Sequence, residues 1–254
     1  MYLVKNKDSI APLYRDWPET LIWSCLQDCM GYAYADGLEH PRSANIVIGD
    51  FCFFAGEPSR EAVRYRPKEF KSNFIIMTPQ NEAWAELIEL EYGAAANRRS
   101  RYAIKKEPEV FNIEELQRIT AQLPGPYSLR MIDRELYGQT QSLDWARDLC
   151  SQFENYEDYE RHGLGAVVLK DGEIVSGASS YTWYKGGIEI EIDTREDERR
   201  KGLALVCGAK LILECLERNL YPSWDAHNPG SVALAEKLGY HFDKEYPVYE
   251  IFNY

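Results

Sequence analysis

A chain of 254 residues, 45% hydrophobic and 13% aromatic, has ample material for one large core or two of ordinary size, which excludes disorder. Its net charge of −12, from 29 Lys and Arg against 41 Asp and Glu, argues against a nucleic-acid partner, whose binding needs a basic face. No run approaches the roughly 18 to 20 apolar residues of a membrane span, and the N-terminal stretch lacks the apolar centre of a signal peptide, so no membrane and a cytoplasmic location are expected.

The six cysteines (Cys25, Cys29, Cys52, Cys150, Cys207 and Cys215) lie in apolar or periodic segments without a C-x-x-C pair. They read as reduced core residues, and no metal is expected. From residue 127 onward there are 14 basic against 23 acidic residues, and before it 15 against 18. An acidic second half suits a cationic small molecule or peptide, although acidity also serves solubility alone.

In chain order, "DWPETLIWSCLQDCMGYAYAD" (16–36) predicts a helix begun by Asp16, with Pro18 in its first turn. "NIVIGDFCFFAG" and "NFIIMTP" are β-rich runs bounded by Gly, Pro and Asn, hence strands. "NEAWAELIELEYG" has helical spacing and a glycine stop, "RRSRYAIKK" reads as extended, and "NIEELQRITAQL" as a helix. "LPGP" (123–126) interrupts the chain, since two prolines flanking a glycine cannot continue a helix. The division is expected there: an N-terminal α/β domain over 1–125 and a second domain over 126–254.

After the division come strand "YSLRMI", helices "SLDWARDLCSQF" and "YEDYERH", and strand "GAVVLK". A turn at Asp171–Gly172 leads into strand "EIVSGASSYTWYK". Gly186–Gly187 turn into the alternating strand "IEIEIDT", and a long helix follows from about Arg200 to Asn219. Strand "YPSWDA", helix "PGSVALAEKLG" and a closing strand from Tyr240 toward Ile251 complete the chain. The order β-α-α-β-β-β-α-β-α-β implies a mixed α/β sheet rather than a doubly wound one. Neither a Walker A sequence nor G-x-G-x-x-G is present.

One stretch stands out. Arg199, Arg200 and Lys201 gather at the mouth of a helix, where the macrodipole already places positive charge, so a negative ligand is expected. "R-R-K-G-L-A" (199–204), lying between a strand and a long helix, resembles the R/Q-x-x-G-x-G/A signature of the GNAT superfamily of N-acetyltransferases. "N-P-G-S-V-A-L-A-E-K-L-G-Y" (228–240) is similar to that superfamily's later segment, and the element order from about 127 to 254 fits it. More narrowly, "EIDTREDERRKGLA" with "ECLERNLYPSWDAHNPGSVALAEKLGY" resembles the branch that includes zwittermicin A resistance acetyltransferases. The resemblance implies a C-terminal GNAT acyl-CoA N-acyltransferase fold, with the first half as an α/β unit that is partial or a degenerate GNAT-like half.

It also implies acetyl-CoA as acyl donor, with its diphosphate on the amides of Arg200, Lys201, Gly202, Leu203 and Ala204 and added charge from Arg199, Arg200 and Lys201. Gly202 would let the phosphate reach the backbone. In the family the preceding strand splays from its neighbour and pairs with the pantetheine arm, which falls here on Ile192, Asp193 and Thr194. Asn228 would contact that arm or cap the following helix.

Glu189, Glu191 and Asp193 share one face of the "IEIEIDT" strand. A primary ammonium of pKa about 10 must lose a proton before it attacks, so a base is required. Glu191 is the first choice and Glu189 the second, and a bulge would change the facing. The family's proton-donating tyrosine falls on Ala235, which leaves Tyr240, His227 and Asp225 as substitutes. Trp183 and Tyr184 pack either against an acceptor chain or in the core. Two readings stay open: an N-acetyltransferase acting on a small cationic amine, and a non-catalytic acyl-CoA-binding or sensing module.

Overall fold

The computed structural model describes residues 1–254. In chain order the elements are β1 (Tyr2–Leu3), α1 (Thr20–Leu26), β2 (Tyr32–Ala35), β3 (Ser43–Ile48), β4 (Phe51–Gly56), α2 (Arg60–Arg64), β5 (Phe74–Pro79), α3 (Glu82–Tyr92) and β6 (Asn97–Ile104). There follow α4 (Ile113–Ala121), β7 (Tyr127–Met131), α5 (Arg134–Ser142), α6 (Tyr156–His162), β8 (Gly165–Lys170), β9 (Glu173–Tyr184) and β10 (Gly187–Thr194). The last are α7 (Leu203–Glu217), β11 (Tyr221–Ser223), β12 (Asp225–Ala226), α8 (Pro229–Lys237) and β13 (Phe242–Phe252). No helix is long and apolar enough to cross a membrane.

The chain forms two compact units, one of Met1–Arg101 with Glu245–Tyr254, the other of Tyr102–Lys244. The division therefore falls inside β6 and β13 rather than at Leu123–Pro126. The reason is α4: its Leu116 and Ile119 are buried in the same core as α7, which ties the segment before "LPGP" to the second unit.

Within the first unit β2, β3 and β4 form an antiparallel meander, α2 follows, and β5 returns parallel to β4 before α3. Trp84, Phe54, Met77 and Ile75 pack its core. The second unit repeats the order: meander β8-β9-β10, helix α7, β11 parallel to β10, then α8. Its five-stranded order is β11-β10-β9-β8-β7.

Helix α7 explains the depth of the second core. Leu203, Val206, Cys207, Leu211, Ile212 and Cys215 are buried against Val168, Val175, Ala178, Ile188 and Ile190 of the sheet. Removing a methylene from such a close-packed site costs about 1 kcal/mol. The opposite face is covered by Leu136, Leu149, Phe153 and Tyr159 over Val167, Leu169 and Ile174.

Two predicted helices differ. Over 16–36 only Thr20–Leu26 is helical, capped by the Glu19 side chain on Leu21 N–H rather than by Asp16. The helix ends where Asp28 turns left-handed (φ 57°), with Cys29 N–H on Ser24 C=O and Asp28 N–H on Cys25 C=O, a Schellman closure. "YAYA" then pairs with β3, because its alternation suits a strand once a partner is beside it. Over 142–153 the chain makes only a 3₁₀ turn at Arg147–Leu149. The helix forms one segment earlier, capped by Asp133 on Leu136 N–H, and burial of Ala146, Leu149 and Phe153 shapes the rest.

Candidate donor and acceptor site

The site lies in the second unit, where β10 and β11 part. Their parallel pairing runs from Gly187 with Tyr221 to Glu189 with Ser223 and goes no further. Beyond Trp224, which is buried with its indole N–H on Ser231 Oγ, Asp225 and Ala226 pair instead with Ala103 and Tyr102 of β6. The stretch Ile190–Thr194 is therefore paired with β9 on one side and open on the other.

Alternation identifies which main-chain groups face the opening. Tyr221 N–H donates to Gly186 C=O, while Arg195 N–H donates to Val175 C=O beside β9. Even-numbered residues of β10 thus aim at the β11 side and odd-numbered ones at β9. The amide and carbonyl of Ile192 face the opening, and those of Asp193 face β9. The Thr194 groups face the opening but are engaged: its N–H donates to Asp193 Oδ1 at 2.6 Å, and its C=O accepts from Arg199 Nε at 3.0 Å.

A 3₁₀ turn over Glu196–Glu198 leads from β10 to α7. Arg200 and Gly202 are both left-handed, at φ 63° and 81°. Gly202 is the N-cap of α7 and no side chain caps that terminus. The first intrahelical bond is Val206 N–H to Gly202 C=O, so the amides of Leu203, Ala204 and Leu205 have no helical acceptor. A Cβ built on Gly202 meets nothing within 4 Å. Open space over a left-handed glycine beside bare helix amides is a cradle that an anion fits.

Of the three cations, Arg200 is exposed and makes no ion pair. Arg199 is anchored to Thr194 C=O, with Asp193 at 3.6 Å. Lys201 donates to Glu198 at 2.7 Å. Glu198 is only 1% exposed, and the Lys170 and Lys201 ammonium groups with the Tyr127 hydroxyl hold its carboxyl down at about 2. Sequence reasoning missed Glu198, Lys170 and Tyr127, because nothing in "REDER" distinguishes a buried carboxylate from its exposed neighbours.

The three carboxylates of β10 occupy the sheet face covered by Leu149 and its neighbours, while Ile188 and Ile190 face α7. The bulge lies in the partner strand. Glu189 pairs with Thr182 and Ile190 with Ser180, so Tyr181 is the extra residue of β9 and the alternation of β10 is unbroken. Glu189 is 4% exposed, Glu191 half-buried. Asp193 is raised above its ordinary range by burial first, against the opposing pull of Thr194 N–H and Arg199.

Ala235 is fully buried on α8. Tyr240 is also buried; its hydroxyl donates to Pro222 C=O at 2.6 Å and burial pushes its pKa well up, which fits it for packing rather than proton donation. Asn228 caps α8, its Oδ1 accepting from Ser231 N–H at 3.0 Å. Tyr184 is a core residue bonded to Tyr221 C=O. Trp183 stacks face to face on His162, centroids 4.2 Å apart, and His162 Nδ1 lies 2.9 Å from Asp158 Oδ1.

The corresponding place in the first unit is closed. Strands β4 and β5 stay paired from Phe51 with Ile76 to Phe54 with Pro79, and Gln80 N–H still reaches Phe54 C=O. Helix α2 has five residues and is capped by Ser59, and a Cβ on Gly56 would collide with the Arg42 carbonyl. The shared element order survives there without the opening.

Known proteins resemble this chain in sequence or in fold. An uncharacterized N-acetyltransferase of Bacillus subtilis (strain 168), YdfB, is 26% identical over 96% of this chain and 95% of its own. The crystal structure of a GCN5-related N-acetyltransferase-like protein from Streptococcus suis 89/1591 is 47% identical and matches with a TM-score of 0.92 over 97% of this chain and 98% of that one. A tandem GNAT protein from the clavulanic acid biosynthesis pathway, 10% identical, shares the fold at a TM-score of 0.57 over 98% and 94% of the two chains. The family model described as GNAT acetyltransferase matches residues 11–249. With the parted strands, the uncapped helix and this match across nearly its whole length, the chain belongs to the GNAT acetyltransferase family.

Proposed function

We propose that this GNAT N-acetyltransferase moves an acetyl group from acetyl-CoA to the primary amine of a small cationic molecule, by direct attack in a ternary complex. The observation that carries the reading is the opening of β10 from β11 immediately before the bare amides of α7. A diphosphate on Leu203 and Ala204, with Arg200 beside it, directs the pantetheine arm along Ile192, where it takes the place of the missing strand. The Ile192 amide polarises the thioester carbonyl.

Glu191 takes the proton from the acceptor ammonium, because it lies on the open stretch next to Ile192 and is reachable from solvent, whereas Glu189 is buried. The neutral nitrogen then attacks the carbonyl carbon, the C–N bond forms, the C–S bond breaks, CoA departs as a thiolate, and the extra proton left on the acylated nitrogen passes to that thiolate or to water. With a pKa near 8.5 that leaving group needs no strong acid, which accommodates the alanine at 235. The carboxylates of Glu189, Glu191 and Asp193 on one face favour a cationic acceptor.

Ala235 also supports the second reading, a fold that binds acyl-CoA without turnover. Free-thiol release from acetyl-CoA separates the two across a panel of polyamines, amino acids, a lysine peptide and amine antibiotics, the last included for the resemblance to zwittermicin A resistance enzymes. Transfer to a small amine supports the proposal. Donor binding with no thiol release above hydrolysis overturns it in favour of sensing.

A further inference from the structure

The turn that cradles the anion is held from below by one carboxylate. Glu198 Oε1 accepts from Lys170 Nζ at 2.7 Å, and Oε2 accepts from Lys201 Nζ at 2.7 Å and from the Tyr127 hydroxyl at 2.5 Å. Arg195 Nη2 stands 3.8 Å from Oε1. These donors come from β7, from the end of β8 and from both sides of the turn, so the carboxylate has little freedom to move. At 1% exposure it is shielded from solvent.

Lys201 sits between the two left-handed residues, Arg200 and Gly202. An arginine in that region is strained, and such a conformation persists only where its surroundings over-determine it. No side chain caps α7 and Arg200 makes no ion pair, so the ammonium of Lys201 on Glu198 is the tether at the centre of the turn. Arg199, fastened to Thr194 C=O, fixes the near end.

We propose that Glu198 is a positioning residue for the donor: without touching acetyl-CoA, it pins Lys201 so that the left-handed turn presents the first amides of α7 to the diphosphate. This rests on the reading of that turn as the diphosphate site. Glu198→Gln has two opposed effects. It removes a negative charge near the diphosphate, which strengthens attraction, and it releases the tether, which lets the turn relax. The second effect is the larger, since preorganised amides lose their effect once they must be ordered by the ligand itself.

Calorimetry with acetyl-CoA, with inorganic pyrophosphate as competitor, is the test, together with hydrogen exchange over 199–206 in the free protein. In Glu198→Gln the acetyl-CoA Kd rises about tenfold or more, pyrophosphate competes correspondingly less well, and exchange quickens over 199–206 while residues 207–217 of α7 keep their protection. Tyr127→Phe, which removes one tether and leaves the charge, shows the same pattern at a few-fold scale and decides the matter if the first variant does not fold. Unchanged or tighter binding in the variants overturns the proposal, as does loss of protection throughout α7, which marks general destabilisation. Failure of the wild-type protein to bind acetyl-CoA refutes the diphosphate reading itself.

Discussion

Gly202 offers the sharpest separation of backbone strain from ligand exclusion. Its φ is 81°, and an added Cβ meets no atom within 4 Å. Gly202→Ala therefore has no packing penalty, only the left-handed backbone, at about 1 kcal/mol. In a chain of this size that lowers Tm by about 2–4 °C. Gly202→Glu carries the same backbone term and adds a carboxylate over the amides. At about 6 Å from a dianionic diphosphate, with an effective dielectric constant of about 40–80, repulsion is about 1.4–2.8 kcal/mol, or about 10- to 100-fold in Kd. Differential scanning fluorimetry should find similar Tm losses in the two variants. Calorimetry with acetyl-CoA should find a further loss of affinity for the glutamate variant alone, shrinking as salt rises. Wild-type affinity in Gly202→Glu, or equal losses in both variants, would refute the assignment of the ligand to this turn.

Three other outcomes are expected. Glu191→Gln lowers the transfer rate by about 10²-fold near neutral pH and leaves donor affinity unchanged, with the loss shrinking toward pH 10 as the amine deprotonates unaided; Glu189→Gln, measured beside it, has the smaller effect on rate. Glu198 is held at about 2, below the usual glutamate value of 4.5, so its contribution to stability is complete above pH 4.5 and is lost as pH falls toward 2; acid unfolding followed by circular dichroism should be shallower across that window in Glu198→Gln. Asn228→Ala costs about 1 kcal/mol of stability through the lost cap of α8, while Asn228→Asp keeps the cap; denaturant titration reads the difference.

Much of the candidate site is legible because it is local. The basic turn, the glycine and the apolar period of α7 follow one another without interruption, and the alternating Glu and Ile positions of β10 fall within 8 residues. Capping by Asn228 follows from its place just before Pro229. A helix over 16–36 is too long because Asp28 ends it through a left-handed turn that many polar residues can make, and because "YAYA" becomes a strand only beside β3.

Helix ends, turns and side-chain alternation depend on neighbours a few residues away, so the order of elements from β7 onward, the family signature and the candidate carboxylates can be read from the chain alone. Packing was needed to establish that β10 parts from β11 after Glu189, that the "LPGP" interruption lies within a unit rather than between two, and that Glu198 is buried. The partners of that carboxylate, Tyr127 and Lys170, lie 71 and 28 residues away along the chain. Burial and pairing at such separations arise only when the chain packs, so no local pattern could announce them.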